Sequence, residues 1–254
     1  GMNYAPEASS EKVVAPGEFI FAASHFDHGH IYGQTRCLLN AGGTCKWIYS
    51  EDEEKIEPIK DLVESGTRIA TRFEEILEDP DVRLVTSAAI PNLRAGVGFQ
   101  VMDAGKDYLT DKSPFTTLEQ LDQAREKVRE TGRKYMVSYS ERLMNESAWH
   151  AGELIREGAI GDVLQVLNLA PHNLAKSSRP SWFFDKEAYG GILTDIGSHQ
   201  FEQFQEYTGT TDGRILSARV YQEAKSPLTI GMGTNISGEP VVADLARMPH
   251  ALIA

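Results

Sequence analysis

Short apolar runs alternate with helix-patterned segments through the first half of the chain, and this alternation restricts the fold more than any other feature. Residues 19–23 (Phe-Ile-Phe-Ala-Ala), 44–49, 82–89, 107–110 and 134–139 have strand length and apolar or β-branched cores. Helical spacing fills the gaps. Ile31, Cys37 and Leu38 precede Gly42-Gly43, and residues 93–104 run up to Gly105. Leu118, Leu121, Ala124 and Val128 form an apolar stripe that opens on a capping box, Thr117-Leu118-Glu119-Gln120, and stops at Gly132. Strands that alternate with helices call for a parallel sheet covered by helices on both faces. The first strand–turn–helix–strand unit is how a dinucleotide-binding fold begins.

The expected fold class is therefore α/β. A Rossmann-like domain over residues 17–140 follows a loose polar leader over 1–16, which contains Pro6 and Pro16. A smaller α+β domain over 141–254 begins near Glu141-Arg142. It holds a helix over 149–156, a strand over 161–169, a turn at Pro171-His172-Asn173, an aromatic loop over 179–185, a helix after Gly190-Gly191 and a strand over 215–222. After Gln222 the pattern weakens, broken by Gly231, Gly233, Gly238 and Pro240.

Composition excludes several function classes. The 254 residues include 41% hydrophobic ones, enough for a packed core. A formal net charge of -12 argues against nucleic acid and against an anionic membrane surface as partners. No apolar run is long enough to cross a membrane, and the N-terminal stretch lacks a basic and then apolar signal, so the expected address is cytoplasmic. Cys37 and Cys45 belong to no CxxC pair and read as buried, reduced thiols.

Candidate chemistry gathers at three places. Asp195 and His199 are four residues apart, so on a helix a carboxylate and an imidazole share one face, an arrangement suited to proton transfer. Asp111-Lys112 ends the run over 107–110, where a lysine in a cleft can hold an oxygen or tune a neighbouring base. The turn after the first strand reads Ser24-His25-Phe26-Asp27-His28-Gly29-His30. A dinucleotide-binding turn usually carries three glycines so that bare backbone can approach the pyrophosphate. Here those positions are Ala23, His25 and His28. Ser50 stands where an acidic residue commonly takes the ribose hydroxyls, with Glu51 and Asp52 just after it. His25, His28 and His30 also form an H-x-x-H-x-H cluster that could serve a metal-dependent lyase or isomerase, though no cysteine or clear carboxylate set stands beside it, so no metal is expected.

Together, Thr110-Asp111-Lys112-Ser113-Pro114 and Gly190-Gly191-Ile192-Leu193-Thr194-Asp195-Ile196-Gly197-Ser198-His199 resemble the Gfo/Idh/MocA (glucose–fructose oxidoreductase / inositol dehydrogenase) family, from about residue 18 to about residue 221. The family's proline after the lysine is Ser113 here, and Arg94 stands where relatives often have histidine. The resemblance implies an NAD- or NADP-dependent oxidoreductase acting on a sugar- or polyol-like substrate. It assigns His199 as acid/base, Asp195 to orient it or touch substrate, and Lys112 to stabilise the oxygen and the cofactor. Ala23, His25, His28, Ser50, Pro91, Asn92 and Asp111 would line the cofactor, with His172 and Trp182 at the substrate. It also implies a homo-oligomer formed through the C-terminal domain, which is shorter here than in relatives. The alternatives are a non-catalytic ligand-binding or regulatory relative and the metal-dependent enzyme built on the histidine turn.

Overall fold

A computed structural model describes residues 12–172, 174–218 and 220, together with the strands Thr229–Thr234 and Pro240–Asp244. Most of the leader, Asn173 and much of the segment after residue 220 lie outside the described residues. The chain divides into two compact units, Gly1–Asp212 and Gly213–Ala254.

The first unit is built on six parallel strands: β1 (Ile20–Ser24), β2 (Thr44–Tyr49), β3 (Arg68–Ile69), β4 (Leu84–Ser87), β5 (Asp107–Asp111) and β6 (Tyr135–Ser138). Their spatial order is β3-β2-β1-β4-β5-β6, the doubly wound order of a dinucleotide-binding sheet. Alternation along β1 splits the core. Phe21 and Ala23 pack with Ile31, Ile48 and Leu84 on one face, while Ala22 packs with Val85, Val101 and Tyr108 on the other. The covering helices are α1 (His30–Asn40), α2 (Lys60–Glu64), α3 (Glu74–Glu78), α4 (Arg94–Asp103) and α5 (Leu118–Thr131). Before α2, Pro58 holds residues 53–59 in a 3-10 turn.

Helix α5 starts where its capping box places it: Thr117 accepts from the Gln120 N–H, the Gln120 side chain returns to the Thr116 N–H, and Gly132 ends the helix at φ 65°. Helix α1 turns Ile31, Gln34 and Thr35 to the sheet, which leaves Cys37 exposed, contrary to expectation; Cys45, on β2, is buried. The β1–β4 seam also carries polar packing, with the Thr86 hydroxyl donating to Gln34 Oε1 at 2.9 Å.

Past β6 the chain forms α6 (Ser140–Leu143), α7 (Glu146–Arg156), α8 (Lys186–Tyr189), α9 (Ile192–Asp195) and α10 (Gly197–Thr208). The boundary expected at 140/141 falls inside the first unit, because Lys112 and Ser113 bond across it to Asp195 and Thr194, and α6 in turn is tied to α10. Arg142 Nε donates to Glu202 at 2.6 Å, and its guanidinium lies 5.8 Å from the Trp149 ring. Two expected strands are corrected. Residues 161–169 are not a strand, and Leu164, Leu167 and Leu169 stand 94%, 80% and 85% exposed. Residues 215–218 and 220 likewise carry none, and the rest of 215–222 lies outside the described residues. A strand needs a hydrogen-bonded neighbour, and apolar alternation alone does not supply one. The second unit contains an antiparallel hairpin of β7 (Thr229–Thr234) and β8 (Pro240–Asp244). Among the described residues no helix is long and apolar enough to cross a membrane.

Candidate active site

The carboxyl ends of β1, β4 and β5 meet the start of α10, and buried charge concentrates there. Asp111, the last residue of β5, is fully buried. Its oxygens take His30 Nδ1 at 2.9 Å, His28 Nδ1 at 3.2 Å and Arg94 Nη2 at 3.2 Å. Burial alone would raise its pKa, but the two imidazole hydrogen bonds and the Arg94 charge override that and hold it well below the usual carboxylate range. Arg94 is 1% exposed and also donates to the carbonyls of Ala89 (2.7 Å), Ser113 (3.1 Å) and Lys112. It therefore clamps the loop after β4 to the loop after β5. Ser113 follows Lys112 through a cis peptide bond.

Lys112 projects from that loop to Asp195. Its Nζ donates to Asp195 Oδ1 at 2.6 Å and to the Asp195 carbonyl at 3.2 Å, with both residues buried. Ser113 Oγ adds a bond to the Thr194 carbonyl at 2.8 Å. The chain reaches this point through Gly190 and Gly191, at φ 86° and 89°. A side chain at 190 would sit 3.1–3.3 Å from Thr194 and Thr116, so the close approach as well as the φ calls for glycine.

The expected Asp195–His199 alignment is corrected here. Helix α9 ends at Asp195 and α10 restarts at Gly197, so the two side chains do not share an unbroken helix face. Asp195 pairs with Lys112 instead, and His199 is 2% exposed with Nδ1 unpartnered among the described residues. Burial lowers its pKa to about 4, against an opposing pull from Glu141. Its Nε2 lies 3.8 Å from Glu141 Oε1, and the same oxygen is 2.9 Å from His172 Nε2.

A cavity of about 210 Å³ sits among these groups, lined by His28, His30, Lys112, Glu141, His172, Arg179, Phe183, Asp195 and His199. Trp182 stacks on Phe183 at 4.2 Å, 6.2 Å from the His28 ring, so the aromatic loop closes one side. Arg179 lies 4.6 Å above Phe183. A polar groove of about 510 Å³, lined by Asn145, Asn168, Gln200 and Gln203, shares Ser140, Glu141 and His172 with the cavity.

The residues expected at the cofactor are spread more widely. Ala23 is fully buried, with its methyl in the core, so only its backbone could meet a ligand. His25 takes φ 53°, a conformation glycine favours. Its ring turns from the other histidines to pack edge-on at 5.4 Å from Tyr49 and 4.7 Å from Phe73, and burial lowers its pKa to about 4. The three-histidine cluster is thus divided. His28, His30 and Asp111 bring three ligand-type atoms within 4.8 Å, but Arg94 already neutralises that carboxylate. Ser50 closes a turn by donating to the Asp52 carbonyl at 2.8 Å. Pro91 is buried at the start of a 3-10 turn, and Asn92 Oδ1 is buried without a partner among the described residues. Glu141 and Arg94 carried no role in the sequence reading. Glu141 looks like part of a domain boundary, and Arg94 is one arginine on a helix, so only folding exposes their partners.

Residues 149–228 match the GFO/IDH/MocA C-terminal domain. A solved protein from Erwinia carotovora atroseptica, provisionally classed as an oxidoreductase, is 40% identical at a TM-score of 0.74, covering 79% of this chain and 60% of that one. Over residues 149–228 the chain carries the Gfo/Idh/MocA C-terminal domain. Two more distant solved proteins share its fold. Levoglucosan dehydrogenase in complex with NADH is 22% identical (TM-score 0.59; 75% of this chain, 54% of that one). Aldose-aldose oxidoreductase from Caulobacter crescentus, complexed with glycerol, is 20% identical (TM-score 0.57; 75% and 58%). The chain thus spans little more than half the length of these solved proteins. Forty residues of the chain, 16% of it, are 60% identical to DNA translocase FtsK 1 of Neisseria meningitidis serogroup A, and they cover 5% of that protein.

Proposed function

We propose that this chain is a nicotinamide-dependent oxidoreductase that moves hydride between the cofactor and a sugar- or polyol-like alcohol. One observation carries the reading. Lys112, delivered by the dinucleotide-type sheet, and His199, delivered by α10, line one small cavity at the carboxyl ends of the strands. The cavity is smaller than the roughly 300 Å³ at which sites for drug-sized ligands begin, which suits one small ring or a short polyol. Its lining of imidazoles, carboxylates and an ammonium offers the donors and acceptors that hydroxyl groups need.

The residues present fit a dinucleotide. His25 adopts the left-handed conformation that a glycine-rich turn requires, and a Cβ at Gly29 would meet nothing closer than Tyr32 at 4.0 Å. The orphaned Asn92 Oδ1, on the loop after β4, supplies a buried acceptor. When bound, a nicotinamide supplies the hydride acceptor or donor. The protein residues supply positions and protons. With its pKa near 4, His199 is a neutral imidazole at neutral pH, ready to take the hydroxyl proton of the substrate. Lys112 has three N–H donors and commits two contacts to Asp195, which leaves one for the substrate oxygen. Asp195 holds that ammonium in place.

The loop after β2 favours NAD over NADP. Ser50 is followed by Glu51, Asp52, Glu53 and Glu54, while Lys55 is paired with Asp27 at 3.1 Å. A 2′-phosphate there would meet like charge. A cytoplasmic address and a homo-oligomer belong to the same proposal.

The test is fluorescence titration with NADH and NADPH, followed by a polyol screen with Lys112→Ala and His199→Ala as controls. NADH is expected to bind at least tenfold more tightly, and Glu51→Arg to narrow the gap. Absence of binding for both cofactors at millimolar concentration would end the oxidoreductase reading; equal affinity for both would end the selectivity argument alone.

A further inference from the structure

The cavity holds a second imidazole–carboxylate pair that the proposed reaction does not use, His172 with Glu141. His172 Nδ1 lies 3.0 Å from the Ala170 carbonyl, and its Nε2 lies 2.9 Å from Glu141 Oε1. A carbonyl only accepts, so this network assigns a hydrogen to Nδ1. A neutral imidazole has a single N–H, and Nε2 would then set a lone pair against a carboxylate lone pair. A proton carried on either partner can bridge Nε2 and Oε1, and the same Oε1 is 3.8 Å from His199 Nε2, so Glu141 stands between the two imidazoles.

The environment gives this pair a task. His199 is 2% exposed, whereas the His172 side chain is 38% exposed. An acid/base buried in this way gains from a route by which its proton leaves. The other charged groups near His199 are committed. Lys112 is held on Asp195, and Asp111 is held by Arg94, His28 and His30. His30 is 35% exposed, but its Nδ1 is fixed on Asp111 and no hydrogen bond or ion pair joins it to His199 among the described residues.

We propose that Glu141 and His172 form the proton exit of this site, in the order His199, Glu141, His172, solvent. The inference rests on the reading of His199 as acid/base. Each cycle is balanced in protons alone. One proton arrives at His199 Nε2 from the substrate hydroxyl, a small rotation of the Glu141 side chain carries it across the 3.8 Å gap, and one proton leaves His172 to water. The return sequence serves the reverse reaction. Glu141 and His172 act through His199; they need not touch the reacting carbon.

The test uses the whole chain labelled with ¹⁵N-histidine. Exchange of the His199 ring N–H with water is measured by NMR, with that signal assigned by its loss in His199→Gln. Glu141→Gln and His172→Gln keep size and polarity but cannot pass a proton. Each is expected to slow exchange about tenfold or more, the double variant no further than the slower single, since both lie on one path. Exchange at the unmodified rate in both variants overturns the proposal, as does a slowing seen only in His30→Gln. On an alcohol that the enzyme oxidises, both variants should lower kcat about tenfold, with partial rescue of His172→Gln by added imidazole. If neither NADH nor NADPH binds, the oxidoreductase reading falls, while the exchange rates still decide the relay.

Discussion

Removing the ammonium of Lys112 should cost more than removing the whole ion pair. Lys112 Nζ and Asp195 Oδ1 are 2.6 Å apart, and their side chains are 6% and 10% exposed. Solvent therefore screens them little. Lys112→Met keeps much of the stem but strands the Asp195 carboxylate in a desolvated position. Breaking a buried pair in this way typically costs about 3–5 kcal/mol. Removing the second charge as well, in Lys112→Met/Asp195→Asn, leaves no uncompensated ion and should recover about half of that loss or more. With about 2–4 °C of melting temperature per kcal/mol for a chain of this size, the single variant should melt about 10 °C below the parent and the double clearly above the single. Differential scanning calorimetry and urea titration on the parent, both singles and the double complete the cycle. If the losses of the two single changes simply add in the double variant to within about 0.5 kcal/mol, the pair is not coupled and the argument for a desolvated ion pair is refuted.

Two further outcomes follow from the same physics. His199 has a folded-state pKa of about 4, below its ordinary 6.5, so protonation favours the unfolded chain. The stability this contributes is complete above pH 6.5 and is lost as pH falls from there towards 4, by up to about 3 kcal/mol; His199→Gln should flatten that part of a melting-temperature profile, and an unchanged slope would count against it. Gly98, on α4, leaves so little room that a Cβ would lie 2.6 Å from Tyr108 and 2.7 Å from Tyr135. Gly98→Ala should therefore destabilise by about 1–3 kcal/mol in urea titration despite the better helix propensity of alanine, and a gain in stability would show that the two rings can move aside.

Much of the fold is legible in the chain. Strand and helix periods repeat in β-α-β order, and the short apolar runs match β1, β2, β4, β5 and β6 because burial on both faces leaves little freedom of composition. The run over 161–169 failed for the complementary reason: its strand character depends on a pairing partner, which its own residues cannot provide. The candidate site divides in the same way. Lys112 and His199 could be singled out from motifs, since each is marked by its immediate neighbours. Their relation could not. A helix break at Ile196, invisible to an i, i+4 count, sends Asp195 to Lys112 rather than to His199.

The sequence by itself determined the order of strands and helices from β1 to β6, the short β3 apart, and marked Lys112 and His199 as candidates. These are local properties, set by periodicity, caps and short motifs. The tertiary structure alone decided which charges are paired: His28 and His30 with Asp111 but not with His25, Arg94 between two loops, and Glu141 between His172 and His199. Most of those contacts join residues 17 or more positions apart, and at such separations an ion pair depends on where the backbone returns, which only packing determines.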